Sequence, residues 1–136
     1  MIKAIPRSKE KAGESFNAAE CWLKEAENNL ESQAFRSCIL SSYLAMFHSA
    51  RAVMFLEGFR EKSHFAVARF LEIRFVKNEL LEEKWAKLFD FYRETRHEDQ
   101  YSTLFSITEA EVKNSLNSAK EFVKRMKLLV EKALKK

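Results

Sequence analysis

Apolar residues recur every three or four positions along most of the chain, which is the spacing of one face of an α-helix. This pattern predicts a first helix from about Ser8 to Gln33 and a second from Ala34 to Glu57. A third helix is predicted to start near Ser63, a fourth to pass through Trp85, and a fifth to follow Thr108. Two stretches that lack the pattern, VKNELLEE and YSTLFSI, are predicted to connect the last three helices.

Residues that favour helix ends stand at these predicted boundaries. Ser63 is placed to cap the third helix, and Thr108 with Glu111 makes a capping box for the fifth. Gly58 fits the end of the second helix, because glycine adopts the left-handed conformation freely. The second helix also carries small residues that let neighbours approach, so we expect it to be central. The fifth carries a heptad-like seam, suited to bundle packing or to a partner helix, at Val112, Leu116, Ala119, Val123, Met126, Val130 and Ala133.

The composition favours an all-α fold. The 136 residues include 2 Gly and 1 Pro, which leaves little material for tight turns, while 46% are hydrophobic and 12 are Phe. Most of the acids are Glu, a good helix former. We therefore predict a single domain over residues 1–136, with its core at about 12–130. The expected architecture is a four-to-five-helix, mainly antiparallel bundle.

The net charge of +4 is unevenly distributed. Residues 60–101 carry 9 basic and 9 acidic side chains, whereas residues 120–136 carry 7 basic and 2 acidic ones. A basic segment can attract nucleic-acid phosphates. Lysines near a helix C-terminus also complement the helix dipole, so both interpretations of this segment stay open.

The cysteines and the hydropathy suggest neither a metal site nor a membrane span. Cys21 and Cys38 form no CxxC pair and lack metal-site spacing with the histidines, so we expect two half-buried free thiols and no cofactor. No signal peptide is recognisable, and no apolar run approaches the roughly 20 residues of a membrane span. The expected location is the cytoplasm.

The stretch RETRHEDQY, residues 93–101, places two arginines, a histidine, three acids and a tyrosine close together. Metal-independent RNA cleavage needs a group that takes the 2′-hydroxyl proton, a cation for the phosphorane and an acid for the leaving oxygen. His97 titrates near neutral pH, and Arg93 lies four residues before it on the same helix face. The alternative is a surface network in which His97 caps the helix and the arginines pair with Glu94, Glu98 or Asp99.

Two further histidines precede this stretch. His48 lies on the second helix beside Phe47, where a hydrogen-bonded core role is the more common one. Arg51 follows within one turn and is expected to pair with Glu57 or another acid, although it can reach the same groove as His48. His64 is expected to cap the start of the third helix.

Three stretches of this sequence together resemble a known family. SSYLAMFHSARAVMFLEG (residues 41–58) is similar to a Tyr-x-Ala-Met-Phe-His-x-Ala-Arg-Ala helix, and EKSHFAVARFLEIRFVKN (residues 61–78) to a Lys-x-His start with an aromatic-rich run. FYRETRHEDQY (residues 91–101) is similar to a helix ending in Arg-(four residues)-Tyr. These patterns resemble the small stand-alone prokaryotic branch of the HEPN superfamily of nucleotide-binding helical domains. The likeness covers roughly Ala12 to Val130.

This resemblance implies an RNA- or nucleotide-related function. Many HEPN proteins are metal-independent ribonucleases whose Arg-(four to six residues)-His motif lies where two protomers meet. Many are toxins paired with a nucleotidyltransferase-type antitoxin, and others bind RNA or nucleotide without cleaving it. A homodimer is therefore expected.

The motif carries over to this chain imperfectly. Arg96 best matches the motif arginine, but Tyr101 occupies the position expected for histidine. His97 is adjacent to Arg96, and the frame from Arg93 to His97 leaves three intervening residues, one fewer than the motif.

Three functions follow from this imperfect match. The leading one is an RNA- or nucleotide-binding partner in a toxin–antitoxin-type system, with Arg93 and Arg96 holding phosphate. The second is an active ribonuclease, with Arg96, His97 and Tyr101 as candidate catalytic residues. The third is a protein-interaction adaptor that uses the seam of the fifth helix or the end of the fourth. The candidate supporting residues are Asp99, Glu98, His48 and Arg51.

Overall fold

The computed structural model describes residues 2–101 and 107–135, except for the side chains of residues 97–101. Its helices are α1 (Lys9–Glu31), α2 (Phe35–Glu57), α3 (His64–Leu71), α4 (Glu83–Tyr101) and α5 (Glu109–Leu134). Two short strands, β1 (Ile2–Ala4) and β2 (Phe59–Glu61), pair antiparallel. The all-α helical bundle predicted from the sequence is confirmed. The YSTLFSI connection lies largely outside the described residues.

Side-chain caps define the helix starts as predicted. The Ser8 hydroxyl accepts a hydrogen bond from the Lys11 backbone N–H at 3.0 Å and so begins α1. Ser63 caps α3 in the same way, and Thr108 caps α5 by accepting from the Glu111 backbone N–H at 3.2 Å. Each cap satisfies a backbone donor that has no partner within the helix. The starts of α1, α3 and α5 could therefore be predicted from local sequence.

The central position of α2 is also confirmed. It contacts the other four helices, and 14 of its 23 residues are buried. Alanines and serines on its surface let α1 and α5 approach closely. By length and composition α2 could cross a membrane, but 78% of its most apolar segment is buried inside the protein. Its apolar character therefore serves the core.

The strand pair was not predicted. Gly58 ends α2 in the left-handed conformation, with φ 84°, and its carbonyl accepts a hydrogen bond from the Ile5 backbone N–H at 2.9 Å. The chain then enters β2 and pairs Glu61 with Ile2 across the ladder. This pairing joins segments more than fifty residues apart, so no local sequence pattern predicts it. Its consequence is that Glu61 lies beside α2.

The apolar spacing of the third helix continues to Phe75, but the α-helix ends earlier, at Leu71. After Leu71 the chain makes a π-helical turn at Glu72–Val76, and Phe75 is buried from that turn. The following connection is polar as expected, except that Leu81 is buried. On α5, Arg125 holds this connection by donating to the Leu80 carbonyl and to the Glu82 carboxylate.

Both described cysteines are free thiols, as expected, but they are not half-buried. Cys21 is exposed, whereas Cys38 is buried in α2. Burial raises the pKa of the Cys38 thiol. It is therefore an unreactive core residue at neutral pH.

Candidate functional site

Arg96 lies over the aromatic ring of Tyr43, one of the residues that α2 turns towards α4. Its guanidinium carbon is 4.9 Å from the ring centroid, a distance at which a cation and an aromatic face attract each other. The Arg96 Nε atom is buried and has no hydrogen-bond partner among the described residues. The predicted phosphate-binding arginine is therefore held in place by an aromatic ring and keeps an unused donor.

Arg93 differs from Arg96 because carboxylates already pair with its guanidinium. Its Nε donates to the Asp90 carboxylate at 2.8 Å, and a terminal nitrogen lies 3.4 Å from Glu94. The guanidinium also lies 5.3 Å from the ring centroid of Phe65. The surface-network alternative therefore describes Arg93, with Glu94 one of the acids that the sequence had suggested.

Tyr43, in the first half of α2, forms a hydrogen bond with His64, the first residue of α3. The phenol oxygen lies 2.7 Å from His64 Nδ1, and the imidazole stacks on Phe47 with 4.1 Å between ring centroids. His64 was expected to cap α3, but Ser63 does so and His64 faces α2 instead. We call Tyr43, Phe47, His64 and Arg96 the Tyr43 cluster.

Burial and charge keep both polar rings of this cluster neutral at pH 7. Burial raises the pKa of the Tyr43 phenol well above its usual value, and the charges of Arg96 and Arg93 offset this only in part. Burial, followed by the Arg96 charge, lowers the pKa of His64. Arg96 is therefore the charged group of the cluster.

His48 and Arg51 join the cluster through Phe47. Arg51 lies 5.5 Å from the Phe47 centroid, and the imidazole of His48 meets the same ring edge-on at 5.3 Å. Arg51 pairs with Glu61 on β2 at 2.8 Å, the acid that β2 brings beside α2. Burial lowers the pKa of His48, and the Arg51 charge adds to this. His48 and Arg51 also line one shallow groove of about 320 Å³, beside Lys11 and Arg60.

The structure therefore brings together only part of the predicted site. Arg93 and Arg96 share α4, and both charges act on Tyr43. Side chains of His97, Glu98, Asp99 and Tyr101 lie outside the described residues, so their predicted roles stay predictions. Within the described residues no group of three His, Cys, Asp or Glu side chains is arranged to hold a metal.

Three residues of the site were not singled out from the sequence. Tyr43 was given no role of its own, although it stands at the tyrosine of the YLAMFHSARA pattern. Asp90 stands three residues before Arg93, a spacing that brings side chains together on a helix. Glu61 becomes visible only once the strands have paired.

Comparisons with known proteins agree with this architecture. The sequence model of the HEPN domain matches residues 12–129. A "Putative toxin" of Methanocaldococcus jannaschii is 30% identical over 117 residues, covering 86% of this chain and 84% of that protein. A "UPF0332 protein" of Pyrococcus horikoshii is 34% identical over 86 residues, which is 63% of this chain and 58% of the relative. Another "UPF0332 protein", from Thermotoga maritima, is 26% identical over 114 residues, covering 84% and 86% of the two chains.

Proposed function

The chain belongs to the HEPN domain family, and from this premise we propose that it is an RNA- or nucleotide-binding protein of a toxin–antitoxin-type system. Arg96 is the proposed phosphate-binding residue. The name of the Methanocaldococcus jannaschii relative supports the toxin class. The surroundings of Arg96 support its proposed role in binding phosphate.

The observation that carries this proposal is the buried Nε of Arg96, which has no hydrogen-bond partner within residues 2–96 and 107–135. A buried donor without a partner costs roughly 1–3 kcal/mol, and a phosphate oxygen would satisfy it. Guanidinium also matches phosphate geometrically, because its donors form a planar fork. Contact with the Tyr43 ring, 4.9 Å from the guanidinium carbon, holds the group in place before a ligand arrives. Arg93 has fewer free donors for a phosphate, because its Nε already donates to Asp90. It contributes mainly its charge.

A homodimer is part of the proposal. A large apolar side chain lies beside the arginines on the surface: Phe65 at the start of α3 is 43% exposed, and its ring centroid is 5.3 Å from the Arg93 guanidinium. Exposed apolar residues next to a functional site are typical of a protein interface. Two copies meeting there would bring two Arg96 residues near each other and strengthen the attraction for phosphate.

A toxin of this kind needs an antitoxin, and we propose a nucleotidyltransferase-type protein, as the family resemblance implies. Co-expression with a nucleotidyltransferase encoded next to this gene tests that part. Recovery of a stable complex supports it, whereas separate elution of the two proteins on size exclusion contradicts it.

The central experiment compares Arg96→Ala with Arg74→Ala. Arg74 is a matched control because its guanidinium also lies 4.9 Å from an aromatic centroid, that of Phe59, but it pairs with Glu57. Each change removes one positive charge. Binding of fluorescent single-stranded RNA and of ATP is measured between 50 and 300 mM salt, with EDTA present and RNA integrity checked on gels.

We expect Arg96→Ala to weaken RNA binding about tenfold, because charge-assisted hydrogen bonds to phosphate are lost. The slope of log affinity against log salt should shrink by about 0.7, the value for one phosphate contact on a single strand. Arg74→Ala should change neither quantity. Equal effects of the two variants, or lower thermal stability of Arg96→Ala with unchanged affinity, would contradict the proposal and leave the adaptor function.

The same samples test the ribonuclease alternative. Cleavage of RNA in EDTA that is lost in Arg96→Ala would show that the site is catalytic. Intact RNA with Arg96-dependent binding would show that this chain binds without cutting.

A further inference from the structure

The hydrogen bond between Tyr43 and His64 determines which imidazole nitrogen carries the proton. The Tyr43 side chain is 1% exposed, and among the described residues His64 Nδ1 is the recorded partner of its hydroxyl. A buried phenol that stays protonated must donate its O–H to an acceptor. His64 Nδ1 is that acceptor, so it is unprotonated, and the proton of the neutral ring lies on Nε2.

The position of the ring leaves Nε2 available. The imidazole is stacked on Phe47 with an interplanar angle of 8°, which fixes its orientation. The residue is half-buried, and no described residue forms a hydrogen bond with Nε2. The nitrogen that can meet a ligand is therefore an N–H donor.

The charges around His64 oppose a second positive charge. Arg96 and Arg93 on α4 and Arg51 on α2 act on the imidazole from two elements, whereas Glu61 on β2 is the described acid acting on it. Burial is the largest influence, and together these effects lower the pKa of His64. The ring is neutral at pH 7 and gives a hydrogen bond without adding to the repulsion.

We propose that His64 is a second ligand-binding residue of this site, donating its Nε2–H as a neutral group to the RNA or nucleotide phosphate held by Arg96. This inference rests on the proposed function. Both residues contact Tyr43, Arg96 through the ring face and His64 through the hydroxyl, so one side chain orients the two donors. Tyr43 acts as a positioning residue that selects the tautomer.

The assignment also limits the chemistry of His64. A protonated Nε2 cannot accept the proton of a 2′-hydroxyl, so in this tautomer His64 is not a general base. Should the protein cleave RNA, the base must be a different group.

The decisive comparison is between His64→Gln and His64→Leu. Glutamine places an amide N–H near the position of Nε2 but cannot transfer protons at neutral pH, whereas leucine fills the space without a donor. We expect His64→Leu to weaken binding of single-stranded RNA about fivefold to tenfold, the effect of one lost hydrogen bond. His64→Gln should stay within about twofold of the original protein on the same basis.

Imidazole ¹⁵N NMR tests the tautomer directly. We expect His64 to show a protonated Nε2 in the original protein and a mixture of tautomers in Tyr43→Phe, which keeps the ring but loses the O–H. Tyr43→Phe should weaken RNA binding about twofold, and this effect should vanish in the His64→Gln background, because the amide has no tautomers. RNA affinity of the original protein should change little between pH 7.5 and pH 6.5.

Several outcomes would overturn this inference. One is His64→Gln binding RNA as weakly as His64→Leu, and another is a ring protonated at Nδ1. Loss of binding in Arg96→Ala with full binding in His64→Leu would reject the role of His64 while the proposed function stands. Absence of RNA and ATP binding in the original protein would reject both.

Discussion

Two arginines three residues apart on α4 have different surroundings. Asp90 and Glu94 pair with Arg93, whereas Arg96 is held by the ring of Tyr43 and has a buried nitrogen to which no described side chain is bonded. Residue type alone made them equal candidates for phosphate. Their neighbours distinguish them, because a guanidinium already bonded to a carboxylate must give up that bond to bind an anion.

The two described histidines of the core make stability depend on pH. Burial lowers the pKa values of His48 and His64, while in the unfolded chain both titrate near the ordinary value of about 6.5. Below that value the unfolded state binds more protons than the folded state, so protonation favours unfolding. The contribution of the two neutral histidines to the free energy of unfolding should be fully present above about pH 7. It should decrease as the pH drops through about 6.5.

Thermal melts between pH 7.5 and pH 5.5 measure this dependence. We expect the melting temperature to fall by a few degrees, about the effect of 1 kcal/mol in a domain of this size. His64→Gln removes one titrating group and should reduce the fall. A melting temperature that rises towards pH 5.5, or an equal fall in the variant, would contradict the prediction.

At the scale of elements, the junction of α2 and β2 depends on one glycine. Gly58 has φ 84°, and a Cβ atom there would lie 3.1 Å from the Ile5 carbonyl oxygen and 3.2 Å from Arg7 Cγ. The same junction positions Glu61 for its pair with Arg51. The caps of the helices are local, but this turn connects the core helix to the N-terminal strand.

Gly58→Ala and Gly13→Ala should therefore have opposite effects. We expect Gly58→Ala to lower the free energy of unfolding by about 1–2 kcal/mol, because left-handed backbone is unfavourable for alanine. Gly13 is an exposed residue of α1 with no heavy atom within 4 Å of an added Cβ, so Gly13→Ala should raise stability by about 0.5–1 kcal/mol. Urea denaturation measures both, and changes of equal sign would refute the argument.

The seam of α5 illustrates how packing resolved a choice between two interpretations. Val112, Ala119 and Met126 are fully buried within the bundle. Most of the seam is therefore unavailable to a partner helix, which argues against that alternative. The exposed apolar residues lie elsewhere, and Phe91 on α4 is among the most exposed.

At the scale of the whole molecule, the proposed dimer can be tested by mass. Sedimentation at micromolar concentration should give about twice the 16.0 kDa of one chain. Phe65→Asp should shift the protein towards the monomer, because a charge would replace an exposed ring at the proposed interface. Leu134→Asp is the matched control, since Leu134 on α5 is 44% exposed against 43% for Phe65. A persistent monomer, or equal behaviour of both variants, would argue against this interface.

The sequence by itself determined the helices, their starts and the family. Apolar spacing, caps at Ser63 and Thr108, and the glycine that ends α2 are local signals, since each depends on residues within about one helical turn. The sequence did not predict the strand pair, the π-helical turn or the end of α3 at Leu71. The strand pair joins segments distant in sequence, and the π-helical turn contains the buried Phe75.

For the site, the sequence identified the two arginines of α4, and only the tertiary structure decided which side chains act together with them. Arg93 and Arg96 were identified as candidates from their motif, but their different partners depend on where α2, α3 and α4 pack. Tyr43 looked like one more apolar residue of α2, and His64 looked like a cap. Their hydrogen bond spans 21 positions of sequence, and helical periodicity carries no information at that separation because it describes neighbours within a few turns.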